Sequence, residues 1–302
     1  MADKTILGID WGTSNRRAYL IDQHGACIAE HEDGQGMLAV GGREHFGASL
    51  AGLLDTMRVA AGVPVIMSGM VGSASGWQEV AYLDAGVPIE QLPRHLVPVT
   101  DPAWAGRCHI VPGYCHRDGG AVDVMRGEET QLLGAVALGH RDGWLVLPGT
   151  HSKWVLLRDG VIQSLSTYMT GELFAMLSAG GTLSSMMGGD SGDAEGFAIG
   201  LNQAANHEPL TNTLFRVRAG VVARAAPVQQ AAAVVSGLLI GAEFAAAARG
   251  RQEAGGVHGI AVIGSPALAA RYAVAAQHFG LKCEVLDPHR VYRTAISQFI
   301  KA

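Results

Sequence analysis

A plan that occurs twice most narrows what this chain can fold into. Residues 5–32 read as a strand, Thr5–Asp10, the small polar stretch Gly12-Thr13-Ser14-Asn15, a strand, Arg17–Asp22, the turn Gln23-His24-Gly25, and a third strand, Ala26–Glu30. Residues 144–167 follow the same order. Trp144–Pro148 is a strand, Gly149-Thr150-His151-Ser152-Lys153 a polar loop, Trp154–Arg158 a strand, Asp159-Gly160 a turn and Val161–Thr167 a strand. The two stretches are not a sequence repeat, so what they share is architecture. They predict two related α/β domains, residues 1–140 and 141–302, with the boundary near 139–143.

Between the two stretches, Glu44–Ala61 has helical spacing, with Phe46, Leu50, Leu53, Leu54 and Met57 on one face. Pro64–Ser68 reads as a short buried strand that runs into a Gly/Ser-rich loop, Gly69–Trp77. Residues 84–106 are Pro-rich and irregular, His109–Pro112 is a short strand and Glu128–Leu138 a helix. The second half is mainly helical until the strand Gly259–Gly264, which enters a Gly-Ser-Pro turn and a helix. A last helix closes the chain at Val291–Ile300.

Hydrophobic residues make up 48% of the 302 and charged residues 16%, which is the composition of a globular chain with a large core. The net charge of −5 and the lack of a basic cluster argue against a nucleic-acid partner. Ala231–Ala248 is apolar enough to suggest a membrane span, but its Ala-rich composition with Ser236, Gly237, Gly241 and Glu243 reads as a buried helix, so no membrane partner is expected. The N-terminus has no leader pattern. Cys27, Cys108, Cys115 and Cys283 are scattered without a CxxC pair, which fits reduced thiols in the cytoplasm better than a zinc site. His24 reads as a turn residue and His289 as a capping or surface group.

Asp10 ends an apolar strand, where a carboxylate is costly unless it meets a cation or donors. The Gly12-Thr13-Ser14-Asn15 turn offers backbone N–H groups and hydroxyls that can cradle a phosphate, and a Mg²⁺ ion would reconcile carboxylate and phosphate. An ordinary hairpin with an Asx-type turn is the other reading. The second loop adds Lys153 to the same kind of tip.

Three strings, DWGTSNRRAYLID, LPGTHSKWVLLRDG and IAVIGSPALAARY, resemble in order and separation the first phosphate, second phosphate and adenosine motifs of the actin/hexokinase/Hsp70 ATPase superfamily. SGMVGSASGWQEVAYL, VDVMRGEETQLLGA, GTHSKW and YMTGELFAML are similar to the 2-dehydro-3-deoxygalactonokinases, over nearly the whole chain. The resemblance implies two ribonuclease H-like domains flanking an ATP cleft, with a last helix (about 289–301) packing back toward the N-terminal domain. It also implies transfer of the γ-phosphate of ATP to the terminal hydroxyl, O6, of 2-dehydro-3-deoxy-D-galactonate in galactonate breakdown.

On that resemblance Asp10 would hold Mg²⁺. Gly12, Thr13 and Ser14 would face the phosphates from one side. Gly149, Thr150 and His151, with Ser152 and Lys153, would face them from the other. Gly264, Ser265 and Ala267 would line the adenosine pocket. Related sugar kinases carry a base, usually Asp, before the helix that links the domains. Here that place holds Arg126-Gly127-Glu128-Glu129, so Glu128 or Glu129 is the candidate, with Asp123 next. Arg17, Arg107 and Arg126 are candidates for the substrate carboxylate. Ser68, Gly69, Ser73, Ser75 and Trp77 stand where such kinases hold the acceptor. A homodimer is common in this architecture. Two other readings share the phosphate machinery: a kinase of another sugar or keto-deoxy acid, and an actin-like ATPase switch.

Overall fold

The structure is a computed structural model describing residues 5–253 and 259–301. Residues 1–4, part of the stretch on which the expectation about a leader rests, lie outside that range. The described residues group into two compact bodies. The first takes in those of Met1–Asp142, Leu156–Leu165 and Asp287–Ala302, and the second Gly143–Val155 and those of Ser166–Leu286.

The first body is built on strands β1 (Thr5–Trp11), β2 (Arg16–Asp22), β3 (Cys27–Asp33), β4 (Val65–Gly69), β5 (Leu83–Asp84), β6 (Val97–Pro98), β7 (Cys108–Ile110), β8 (Tyr114–Asp118) and β9 (Ala121–Met125). Six of them form one sheet in the order β3-β2-β1-β4-β7-β6. The central pairs β1–β4 and β4–β7 are parallel and the β1–β2–β3 meander is antiparallel. Helices α1 (Met37–Val40) and α2 (Phe46–Thr56) follow the meander. The apolar α2 face expected from its spacing is buried through Phe46, Leu50, Leu53 and Leu54. The helix is shorter than its pattern, because Arg58 takes φ 53 and ends it.

Helix α3 (Glu128–Ala137) and the C-terminal helix Pro288–Lys301 complete this body. They approach closely because Gly134 has no side chain: a Cβ there would lie 2.0 Å from the Val291 carbonyl oxygen. A Cβ on Gly8 of β1 would likewise meet Ile296 at 2.4 Å. The sequence pattern missed β8 and β9, a hairpin whose strands alternate weakly and leave Val122 and Val124 exposed.

The second sheet runs β12-β11-β10-β13-β14, using β10 (Gly143–Leu147), β11 (Ser152–Arg158), β12 (Val161–Tyr168), β13 (Gly259–Ile263) and β14 (Lys282–Leu286). Its order matches the first sheet's β3-β2-β1-β4-β7, which is the doubled plan seen in the sequence. β10–β13 and β13–β14 are parallel. Ser152 and Lys153, read as loop, are the first two residues of β11 and are buried. Helices α4 (Thr170–Ala179), α5 (Ala194–Ala205), α6 (Leu210–Val222), α7 (Ala231–Glu253) and α8 (Pro266–His278) accompany the sheet. Val228–Ala247 is long and apolar enough to cross a membrane, and 83% of that window is buried within the protein.

Candidate active site

In the first body the chemistry gathers where β1 and β4 end. Asp10 is the register partner of Arg17 on β2 and of Ser68 on β4. Gly69 follows with φ +89, and a Cβ there would lie 2.7 Å from the Trp11 carbonyl oxygen, so only glycine lets the two strand ends meet this way. Gly127, with φ +109, in turn backs onto Gly69: its Cβ would come within 3.2 Å of the Gly69 Cα. The N-terminus of α3 is thereby held beside Asp10.

Burial pushes the Asp10 carboxyl up to about 6, against the attraction of Arg17 and with further repulsion from Glu128 and Glu32. Glu128 is partly exposed in the first turn of α3, and its Oε2 accepts the Arg126 N–H at 3.1 Å. Glu129 is fully buried and accepts the Gly127 N–H at 2.7 Å. Burial and then the Glu128 charge push the Glu129 carboxyl up to about 8, while the backbone hydrogen bonds and Arg126 oppose the rise. Asp123 lies on β9, where its Oδ1 accepts the Val124 N–H at 2.7 Å. The three candidate carboxylates thus differ in surroundings despite lying within seven residues of one another.

The arginines differ as well. Arg17 pairs with Glu32 at 3.1 Å, and Arg107 donates to the Val63 and Ala60 carbonyls. Arg126 donates Nη2 to the Val80 carbonyl at 2.6 Å and stacks over Tyr82, with 4.3 Å from guanidinium carbon to ring centroid. Its Nε and Nη1 are buried and have no hydrogen-bond partner among the described residues. Nη1 lies 2.9 Å from where a Gly72 Cβ would stand, so the Gly69–Trp77 loop lies against this guanidinium. Buried donors without partners are costly, and a guanidinium donor of this kind has the chemistry to meet an anion.

Ser68 is buried and meets the Tyr292 hydroxyl at 3.0 Å. Ser73 donates to the Met70 carbonyl at 2.8 Å and shapes its own loop. Trp77 is packed in the core, stacked on Phe46 and edge-on to Trp104, and that packing gives no support to a substrate contact. His289 bonds the Tyr19 hydroxyl at 2.7 Å. The Gly12–Asn15 turn rests on the next segment, where Met37, Leu38 and Gly36 donate their N–H groups to the carbonyls of Gly12, Thr13 and Ser14. The exposed Thr13 and Ser14 amides have no partner among the described residues.

In the second body Gly149, Thr150 and His151 form the tip between β10 and β11. The tip sits on the start of α4: a Gly171 Cβ would lie 2.3 Å from the Gly149 oxygen, and Glu172 donates its N–H to the Thr150 carbonyl. The Glu172 carboxylate meets His151 Nε2 at 2.5 Å. Lys153 turns inward, its Nζ 2.8 Å from the Thr167 hydroxyl, and Ser152 bonds Tyr272 at 2.7 Å. Gly264 lies against Pro148, where a Cβ would be 2.8 Å from the proline ring, and Ser265 and Ala267 follow on the surface. A pocket within this body is walled by Pro148, Gly149, Gly171, Leu239, Leu268 and Tyr272, mainly apolar groups suited to a flat ring. Sequence reading gave no site role to Thr170, Glu172, Glu243 or Tyr272, although Glu243 was noted in the Ala-rich helix. The available signal was a carboxylate in the middle of an Ala-rich apolar helix.

A model of the 2-keto-3-deoxy-galactonokinase family matches residues 10–299. This chain belongs to that family. The 2-dehydro-3-deoxygalactonokinase of Escherichia coli (strain K12) is 36% identical over 279 residues, 92% of this chain and 91% of that protein. A Rhizobium meliloti (strain 1021) protein assigned as 2-dehydro-3-deoxygalactonokinase DgoK1 is 36% identical over 303 residues, 97% and 96% of the two chains. A crystal structure from Sinorhizobium meliloti, assigned to the same activity, superposes with a TM-score of 0.89 at 34% identity and covers 98% of each chain. An ADPNP-bound activator of the 2-hydroxyisocaproyl-CoA dehydratase from Clostridium difficile gives 0.55 at 12% identity, over 98% of this chain and 95% of that one, a likeness of fold alone. The family members are phosphotransferases with an alcohol acceptor, and the fold is the α/β actin-like ATPase and sugar-kinase fold.

Proposed function

We propose that this chain transfers the γ-phosphate of ATP to the 6-hydroxyl of 2-dehydro-3-deoxy-D-galactonate, giving the 6-phosphate and ADP. Family membership over residues 10–299 supports the reaction class. The observation that carries the acceptor is Arg126, whose Nε and Nη1 are buried without partners beside the Gly69–Trp77 loop. Nε and Nη1 face different edges of the guanidinium, so a 2-keto acid carboxylate lying against this loop accepts one charge-assisted hydrogen bond from it.

Glu128 is the base in this reading. Glu129 stays protonated up to about pH 8 and so cannot accept a proton near neutrality. Glu128 keeps solvent access and stands at a helix N-terminus, which favours its charged form. It takes the proton of the 6-hydroxyl as that oxygen attacks the γ-phosphorus, and the bond from phosphorus to the departing ADP oxygen breaks. Thr13, Ser14, Gly149, Thr150 and His151 orient the phosphates, and the apolar pocket of the second body receives the adenosine.

Magnesium fits the donor set. Asp10 supplies one carboxylate, and among the described residues no group of three or more His, Cys, Asp or Glu competes as an all-protein metal cage. When bound, the ion neutralises charge on the transferring phosphate. The site residues, the domain division near 142, the homodimer and the cytoplasmic setting without membrane or nucleic-acid partners belong to the same proposal. The test is ADP release with ATP·Mg²⁺ against 2-dehydro-3-deoxygalactonate, its gluconate epimer, galactonate, glycerol and simple aldoses. Turnover confined to keto-deoxy acids is the expected result. Turnover with neutral sugars would remove the Arg126 carboxylate site, and acceptor-independent ATP hydrolysis alone would point to a nucleotide switch.

A further inference from the structure

Helix α7 is apolar along most of its length, yet Glu243 sits in its middle at 1% exposure. A carboxylate taken this far from water is retained only where donors replace its hydration. Glu243 has several. Oε2 accepts the Trp154 indole N–H at 2.8 Å, and Oε1 accepts the Tyr272 hydroxyl at 2.7 Å. Burial raises the Glu243 carboxyl above its ordinary range, and the hydrogen bonds it makes, led by Thr170 and Trp154, oppose that rise. The Ser152 hydroxyl lies 2.7 Å from the Tyr272 hydroxyl. The Tyr272 hydroxyl donates its one proton to Glu243, so the Ser152 hydroxyl donates to Tyr272. One buried carboxyl therefore fixes the direction of a chain that crosses three elements, β11, α8 and α7.

The donors are placed informatively. Ser152 and Trp154 begin β11, directly after Gly149-Thr150-His151. Thr170 opens α4, whose Gly171 lies under Gly149 and whose Glu172 holds both the Thr150 carbonyl and His151. Both attachments of the 149–151 tip thus run to one buried carboxylate. Tyr272 and Thr170 also face the apolar pocket on their other side.

The geometry points to Glu243 as a positioning residue for nucleotide binding: through Ser152–Tyr272 and Thr170 it sets the 149–151 tip relative to the pocket within the second body. This rests on the reading of that tip as an ATP phosphate contact. Glu243 touches no reacting atom. The isosteric Glu243→Gln keeps the volume and alters the bonding. With its carbonyl oxygen toward Trp154, the amide NH₂ faces Tyr272, which must then accept and donate onward to Ser152. The chain reverses at the residue next to the tip.

The experiment is calorimetric titration of ATP·Mg²⁺ into the full-length protein, with KM and kcat for ATP and for the sugar acid. The proteins compared are the wild type, Glu243→Gln, Tyr272→Phe and the direct-contact control Thr150→Ala. The expected result for Glu243→Gln is ATP binding and KM weakened about tenfold, from misplacement of the tip, with the sugar-acid KM within about twofold. Tyr272→Phe moves the same way, and the double variant is no worse than the poorer single one, because both act along one path. If Thr150→Ala weakens ATP and Glu243→Gln, folded, only lowers the melting temperature, Glu243 is packing and the inference is overturned while the ATP reading stands. If Thr150→Ala leaves ATP affinity unchanged, the tip is not a phosphate contact and both fall. Should Glu243→Gln not fold, Tyr272→Phe decides by the same criteria.

Discussion

Glu129→Gln gives the strongest test of the electrostatics around α3. Glu129 is fully buried, and its carboxyl is raised from 4.5 to about 8. The folded protein therefore holds a proton there that the unfolded chain releases above 4.5. Stability from this group is complete below about pH 4.5 and declines as pH rises through about 8. Each pH unit in that window costs about 1.4 kcal/mol, so roughly 3 kcal/mol is gone by pH 7 and close to 5 above pH 8. Glutamine is neutral throughout and its oxygen still accepts the Gly127 N–H, so the variant does not carry this loss. Its new NH₂ lacks an assured partner, which costs about 1 kcal/mol at every pH. The two stability curves should cross: the wild type is slightly more stable near pH 5 and the variant clearly more stable at pH 8. Urea midpoints followed by far-ultraviolet circular dichroism from pH 4.5 to 8.5, at constant ionic strength, measure the difference. Subtraction removes the titrations that the two proteins share. Parallel curves would mean that Glu129 is hydrated or ion-paired, and the argument that leaves Glu128 as the base would lose its main support.

The other expectations concern turnover and packing. Arg126→Lys keeps the charge but loses the fixed guanidinium donors, so the sugar-acid KM should rise roughly 10- to 100-fold, the value of a charge-assisted hydrogen bond. An effect on the ATP KM instead would place this arginine elsewhere. Asp10→Ala should lower turnover by at least about a hundredfold, on the scale of losing one transition-state electrostatic contact, with circular dichroism unchanged. Normal activity in that folded variant would dismiss the metal role. Gly134→Ala puts a methyl group 2.0 Å from the Val291 oxygen and should cost about 1–3 kcal/mol, read as a lower melting temperature. No change would show that the C-terminal helix can give way.

The doubled strand plan was legible because period-two alternation and small polar tips are local signals, and the two sheets do share one strand order. The α2 face was legible for the same reason. The β8–β9 hairpin was not: Val122 and Val124 face solvent, so hydrophobic pattern and burial part company there. At the site, the strings around Asp10, Arg126 and Gly149 could be read, but their division of labour could not. Glu128 and Glu129 are neighbours in sequence, yet Glu128 is partly exposed and Glu129 fully buried, because successive helix positions face different sides. Ser152 and Lys153 looked like loop and are buried strand, because their partners Tyr272 and Thr167 lie far along the chain or across the hairpin. Long-range partners of this kind leave no trace in spacing.

The helix Pro288–Lys301 belongs with strands made at the other end of the chain. On the ribosome, β1 emerges early, and the surface at Gly8 that Ile296 will cover stays bare while the whole second body is synthesised. The first body is therefore the later of the two to be finished, although most of it is translated first. A fragment ending near residue 142 would keep that sheet face uncovered, prone to aggregation and without the Tyr292 hydroxyl that meets Ser68. Supplying residues 287–301 as a separate peptide should raise its solubility by covering the face at Gly8, although the fragment still lacks Leu156–Leu165 of the same body.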